Sequence, residues 1–252
     1  MLLAVDVGNT NTSLGLFESD RLVSSYRIKT DPRVTADEIA LIFRGLLEFE
    51  PEVTGIALCS TVPAVLRELR MMLVRYYPGV PAVVVEPGIR TGVAVLTDNP
   101  REVGTDRIMN TLAAFELYGG PCIVVDFGTS TNFDVVSARG EFLGGALAAG
   151  IEVSVEALSQ RAAQLRRVEL TRPRSVIGKN TVEALQSGTV FGFAGQVDGV
   201  VQRIVEELDS EVTAVIATGG LARSVRDESR TITVHEPDLT LIGLRLVFSR
   251  NV

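Results

Sequence analysis

The order of apolar and polar positions marks out most of the elements of this chain. Residues 2–7 (LLAVDV) form an apolar run closed by one carboxylate, Gly8-Asn9-Thr10-Asn11 follow, and a second apolar block ends at Phe17. Small turn-forming residues between two such runs predict a hairpin. The alternation from Arg21 to Lys29 predicts a third strand. Thr35-Ala36-Asp37-Glu38 has the pattern of a capping box, and Ile39, Ile42, Phe43 and Leu46 share one helical face, so a helix is predicted from Thr35 to Phe49. The continuous apolar run Gly55 to Val62 suits a strand buried on both faces. Pro63 then opens a helix carrying Leu66, Leu69, Leu73 and Tyr77, and Ala82 to Val85 gives another strand. Residues Arg90 to Arg101 read as a loop before a helix from Glu102 to Tyr118, stopped by Gly119-Gly120.

The opening pattern returns 120 residues later as Cys122 to Val136. Aligning Asp6 on Asp126 sets Gly8 on Gly128 and Thr10 on Ser130. A repeat at about half the chain length implies two copies of one fold and not a solenoid. The expected organisation is an α/β protein of two duplicated domains, 1–117 and 118–252, each a mixed sheet flanked by helices, with an interdomain cleft for the chemistry. In the second copy, strands are expected at Ile123 to Asp126, Thr131 to Ala138 and Glu141 to Ala148, and helices at Glu152 to Arg167 and Val182 to Leu208. Gly188, Gly192, Gly195 and Gly199 fall in the last of these and predict a kink or close backbone packing, within the subunit or across a dimer, because each costs about 1 kcal/mol in a helix interior. A buried strand from Val212 to Ala217 leads into Thr218-Gly219-Gly220 before a helical segment, and such a turn lets a flat ring or a phosphate approach the backbone.

Composition narrows the function classes. With 46% hydrophobic and 22% charged residues over 252 positions, the chain is expected to fold compactly. It has no apolar run of membrane-spanning length, and Met1 leads directly into a strand, so a cytoplasmic location and no membrane partner are expected. A net charge of −7 argues against a nucleic-acid partner. The arginines at 161, 166, 167, 172 and 174, mixed with Glu169, read as a solvated or subunit-facing surface. Cys59 and Cys122 lie inside apolar runs as small buried hydrophobes, and the single His235 reads as a polar strand-end residue. Ser-His-Asp and His-metal chemistries are thereby disfavoured.

There is no Gly-x-x-x-x-Gly-Lys-Ser/Thr stretch, and the only lysines are Lys29 and Lys179. A dinucleotide fingerprint is also missing from the first strand-turn. The duplicated strand-Asp-x-Gly hairpins with Thr-Gly-Gly resemble the acetate and sugar kinase/Hsp70/actin superfamily, which implies actin-like (ribonuclease H-like) domains. Asp6-Val7-Gly8-Asn9-Thr10-Asn11, Glu102-Val103-Gly104-Thr105-Asp106-Arg107, Asp126-Phe127-Gly128-Thr129 and Ile177-Gly178-Lys179-Asn180-Thr181 together resemble type III pantothenate kinase, in the right order over essentially the whole chain.

That resemblance implies ATP-dependent phosphorylation of pantothenate. It carries ATP contacts onto Asp6, Val7, Gly8, Asn9, Thr10, Asn11, Thr12, Ser13 and Thr129, with Asp6 near Mg²⁺ through water. It makes Asp106 the general base, Gly104, Thr105, Asp106, Arg107 and Thr181 the pantothenate contacts, and Asp126 the ligand of a monovalent cation, K⁺ or NH₄⁺. It also implies a homodimer with the site near the subunit interface. Thr97 departs from the family, where Tyr is frequent seven residues before the Gly of Gly-x-Asp-Arg. Two other readings stay open: a noncatalytic ATP-binding regulatory protein of the same fold, and a kinase for another small hydroxy acid.

Overall fold

The computed structural model describes residues 1–161 and 168–252, which form two compact units. The first comprises residues 1–93, 99–113 and 239–252. Its strands are β1 (Leu2–Val7), β2 (Asn11–Glu18), β3 (Arg21–Lys29), β4 (Gly55–Ser60) and β5 (Ala82–Val84), and their order in the sheet is β3-β2-β1-β4-β5. The β1–β2 and β2–β3 pairs are antiparallel, whereas β4 joins β1, and β5 joins β4, in parallel.

Strand alternation divides the buried side chains between two faces. Leu3, Val5, Val7, Leu14 and Leu16 pack with Ile39 and Phe43 of α1 (Ala36–Leu46) and with Val65, Leu69 and Met72 of α2 (Pro63–Tyr76). The capping box forms as expected: the Glu38 N–H donates to Thr35 Oγ1 at 3.4 Å, and the Thr35 N–H donates to Glu38 Oε2 at 2.8 Å. On the opposite face, Ala4, Phe17, Ala57 and Cys59 meet Met109 and Leu112 of α3 (Thr105–Tyr118) and Leu241, Leu244 and Val247 of α6 (Leu239–Asn251). A Cβ at Gly243 of α6 would run into the Met109 carbonyl, so these two helices touch backbone to backbone.

The second unit comprises residues 94–98 and 114–238. It contains β6 (Cys122–Phe127), β7 (Ser130–Val136), β8 (Phe142–Ala149), α4 (Ile151–Arg161), α5 (Thr181–Leu208), β9 (Ala214–Thr218) and β10 (Val234–His235). Its strand order, β10-β9-β6-β7-β8, carries the same antiparallel and parallel pairings as the first sheet. The duplication read from the sequence is therefore a duplication of topology.

Three details differ from expectation. The first turn is one residue longer than the second: Asp6 pairs with Ser13 but Asp126 pairs with Asn132, so Ser130 corresponds to Asn11 and not to Thr10. Two 3-10 turns, Ala222–Ser224 and Arg226–Glu228, follow Gly220 in place of a helix. The glycines of α5 do not accommodate packing within the chain, since a Cβ at Gly188, Gly192 or Gly195 would meet nothing within 4 Å among the described residues. The predicted helix at Glu152 to Arg167 is seen as α4 up to Arg161, and Arg166 and Arg167 lie outside the described residues. Arg172 pairs with Glu228, and Arg174 with Glu183.

Candidate active site

The first hairpin brings its single carboxylate to the end of β1, where the next residues turn. The Gly8 N–H donates to the Asn11 carbonyl at 3.0 Å and closes the turn, leaving Asn9, Thr10 and Asn11 exposed. Val7 is buried in the core beneath the sheet, and the buried Thr12 hydroxyl hydrogen-bonds that of Thr30 at 2.9 Å. Within the stretch 6–13, then, Val7 and Thr12 support the hairpin, the turn is exposed, and Asp6 and Ser13 lie half-buried on the opposite face of the sheet from Val7.

Asp6 is not alone. β4 pairs with β1 in parallel with Cys59 beside Asp6, and the Cys59 thiol donates to Asp6 Oδ1 at 3.3 Å. Burial is the main force raising the Asp6 pKa from the usual 3.8 to about 7, and the negative charge of Asp106 raises it further. The thiol and the Arg27 guanidinium act in the opposite direction. Burial also holds the Cys59 thiol well above its ordinary range, with both carboxylates adding to the effect, so it remains a protonated donor. In the sequence alone Cys59 has the pattern of an ordinary buried hydrophobe. Its pairing with Asp6 depends on which strand follows β1 in the sheet, and no local signal carries that.

Asp106 lies in the first turn of α3, beside Thr105 and Arg107. The Arg107 N–H donates to Asp106 Oδ1 at 2.9 Å, and the N–H groups of Arg107 and Ile108 reach the Gly104 carbonyl at 3.1 and 3.3 Å. Gly104 is required by this geometry, because a Cβ there would overlap Asp106 Oδ1. Burial raises the Asp106 pKa, while the Arg107 N–H and the Arg107 charge lower it, and burial prevails. Asp6, Thr105, Asp106 and Arg107 thus belong to the first unit, and the charge of Asp106 reaching the desolvated Asp6 makes a place that favours a cation or a proton.

Asp126, Thr129 and Thr181 belong to the second unit. The Gly128 N–H donates to the Ser130 carbonyl at 2.9 Å, and Thr129 stands exposed in that turn. Gly219, with φ +87°, lies so close that a Cβ would strike Asp126 Oδ1 and the Phe127 backbone, so the Thr-Gly-Gly turn borders the second acidic hairpin. Beyond it, Leu221 and Ser224 line a cavity of about 420 Å³ with Glu152, Val155, Glu156 and Leu170. Thr181 is the exposed first residue of α5, whose cap is Asn180. Thr97 packs near Gly144, and its buried hydroxyl has no hydrogen-bond partner among the described residues.

No group of three or more His, Cys, Asp or Glu side chains that could cage a metal occurs among the described residues. A carboxylate outside any such cage, as Asp6 is, fits a hydrated Mg²⁺ that arrives with the nucleotide, since this ion keeps its waters and needs one or two carboxylates plus phosphate oxygens. No helix among the described residues is long and apolar enough to cross a membrane.

Known proteins share this sequence and this fold. The family model for type III pantothenate kinase matches residues 2–203. Proteins named type III pantothenate kinase from Salinispora arenicola and Streptomyces coelicolor are 67% and 62% identical to the chain, covering all of it and 100% and 99% of their own lengths. Among solved structures, component A of (R)-2-hydroxyglutaryl-CoA dehydratase from Acidaminococcus fermentans has a TM-score of 0.57 at 13% identity, over 99% of this chain and 96% of that one. The ROK hexokinase of Thermus thermophilus has a TM-score of 0.52 at 16% identity, over 99% and 98%. These two likenesses are of fold, the actin-like ATPase and sugar kinase fold. The full-length match in sequence goes further: the chain belongs to the type III pantothenate kinase family.

Proposed function

We propose that Asp106 is the general base through which this member of the family carries out ATP-dependent phosphorylation of pantothenate, the first step of coenzyme A biosynthesis. The observation that carries this reading is the position of Asp106 in the first turn of α3, in the same unit as the Asp6 hairpin and near enough for its charge to raise the Asp6 pKa. Residues Asp6 to Ser13 hold the ATP phosphates, and Gly104 to Arg107 hold the acceptor, with the Arg107 fork on its carboxylate. Asp106 accepts the proton of the primary hydroxyl as that oxygen forms its bond to the terminal phosphorus. The bond to the ADP oxygen breaks, giving ADP and 4′-phosphopantothenate. A pKa raised by burial brings Asp106 closer to neutrality than a surface aspartate and improves its match to this role. Asp6 would hold a nucleotide-bound Mg²⁺ through water, and that ion would supply charge neutralisation on the phosphates.

In the second unit, Asp126 with nearby carbonyl oxygens suits a weakly hydrated K⁺ or NH₄⁺, and Thr129 is a nucleotide contact. Thr181 completes the pantothenate pocket in a cytoplasmic homodimer. Exposed Val176, Ile177 and Val182 around the start of α5 support such an interface. The test is ADP release with Mg²⁺ and ATP in the presence of pantothenate, pantetheine, glycerol or no acceptor, in K⁺ and then in Na⁺. Pantothenate-dependent turnover that is faster in K⁺ is expected. Turnover only with another acceptor, or none with any, overturns the reading.

A further inference from the structure

The register of the first sheet aligns four residues in one row. Arg27 on β3 pairs with Ser13 on β2, Ser13 with Asp6 on β1, and Asp6 with Cys59 on β4. Residues directly opposite one another across strands project from the same face. Arg27 therefore leaves the sheet on the side of Asp6, and its charge reaches that carboxylate and lowers the Asp6 pKa.

The alternation along β3 sharpens the point. Tyr26 and Ile28 turn to the other face and pack against the core beneath it, whereas Arg27 is exposed. Nearby arginines are engaged elsewhere: Arg21 with Glu18 and Arg33 with Asp31. The Arg27 side chain has no hydrogen bond or ion pair among the described residues. A site that must take a nucleotide polyphosphate beside two aspartates carries a large excess of negative charge, and this chain has no Walker-type lysine to offset it.

We infer that Arg27 is a further phosphate-binding residue of this site, its guanidinium lying against the terminal phosphoryl group of the nucleotide and remaining on it during transfer. This rests on the reading of Asp6 as the phosphate end of the site. A planar fork with five donors suits the three terminal oxygens of that group, whose charge the transition state redistributes. Edge strands also carry cations to prevent unwanted strand pairing, and β3 is an edge strand. That explanation applies equally to Arg21, which is out of the Asp6 row, so Arg21 serves as the control.

The experiment compares Arg27→Gln, Arg27→Lys and Arg21→Gln with the wild-type protein by steady-state kinetics and by equilibrium binding of Mg²⁺ complexes of ATP and ADP. For Arg27→Gln the inference expects kcat/KM for ATP to fall by about 100-fold, with affinity for ATP falling at least 10-fold more than affinity for ADP. KM for pantothenate and the thermal midpoint stay close to wild type, Arg27→Lys recovers part of the loss, and Arg21→Gln behaves as wild type. An unchanged ratio of ATP to ADP affinity in Arg27→Gln overturns the inference, as does a rise confined to KM for pantothenate, which assigns Arg27 to the acceptor. Failure of the wild-type protein to use pantothenate defeats the functional reading alone, and the affinity ratio still decides the role of Arg27.

Discussion

Replacing Asp6 by Asn should make the protein more stable while removing its activity, and the size of the gain follows from the site. A carboxyl whose pKa rises from 3.8 unfolded to about 7 folded stays protonated in the folded state over a range where the unfolded chain has already ionised. The associated stability is fully present below the unfolded pKa and is lost as pH rises through the folded one. At 1.36 kcal/mol for each tenfold change, the full loss is about 4 kcal/mol. Asp6 retains some contact with solvent, which brings the expectation to roughly 2–4 kcal/mol. Asn is neutral in both states, and its carbonyl can still accept from the Cys59 thiol. The assay is urea unfolding of both proteins between pH 5 and pH 8, without nucleotide or Mg²⁺. The advantage of Asp6→Asn should widen with pH by roughly 2–3 kcal/mol over that range, while phosphoryl transfer falls to background. A stability difference that is flat with pH, or that favours the wild-type protein more at pH 8, refutes the desolvated acid pair.

Three further substitutions probe the backbone around the site. Gly104→Ala pushes a methyl into Asp106 Oδ1, so initial rates should show kcat reduced about 100-fold with unfolding free energy changed by less than about 1 kcal/mol. Gly219→Ala meets both a left-handed φ of +87° and the Phe127 backbone, and chemical denaturation should show a loss of about 3 kcal/mol or more. Gly192→Ala in α5 should stabilise a dilute monomer by about 0.5–1 kcal/mol, since a Cβ there has open space around it. A weaker dimer for the same variant in sedimentation would show a partner backbone packed against that helix.

Local chemistry made much of this fold readable in advance. The Thr35–Glu38 capping box, the apolar runs that become β1, β4 and β6, and the two acidic turns announce themselves within a few residues, and they are found where expected. What went unread depends on contacts distant in sequence. Helix α6 is apolar nearly all round, so it lacks the one-sided stripe that marks a surface helix. It is instead sandwiched against the first sheet and α3 through Leu241, Leu244 and Gly243. The extra residue in the first turn escaped alignment by position, because only the pairing of Asp6 with Ser13 reveals it. At the site, Asp6, Asp106 and Arg107 could be named from motifs, but the Cys59 hydrogen bond and the Arg27 row arise from strand order and register. The glycines of α5 suggest a kink or close packing, within the subunit or across a dimer, and within the chain the structure leaves open space beside Gly188, Gly192 and Gly195 among the described residues.

The central claim is that Asp106 takes the acceptor proton, and Asp106→Asn tests it most directly. Amide and carboxylate are nearly the same size, and the amide oxygen can still accept the Arg107 N–H, so folding and ATP affinity should stay within a few-fold of wild type. Pantothenate-dependent ADP formation should drop by 100- to 10,000-fold, the range expected on losing a general base. Near-normal kcat in Asp106→Asn, with ATP still bound, would contradict the account.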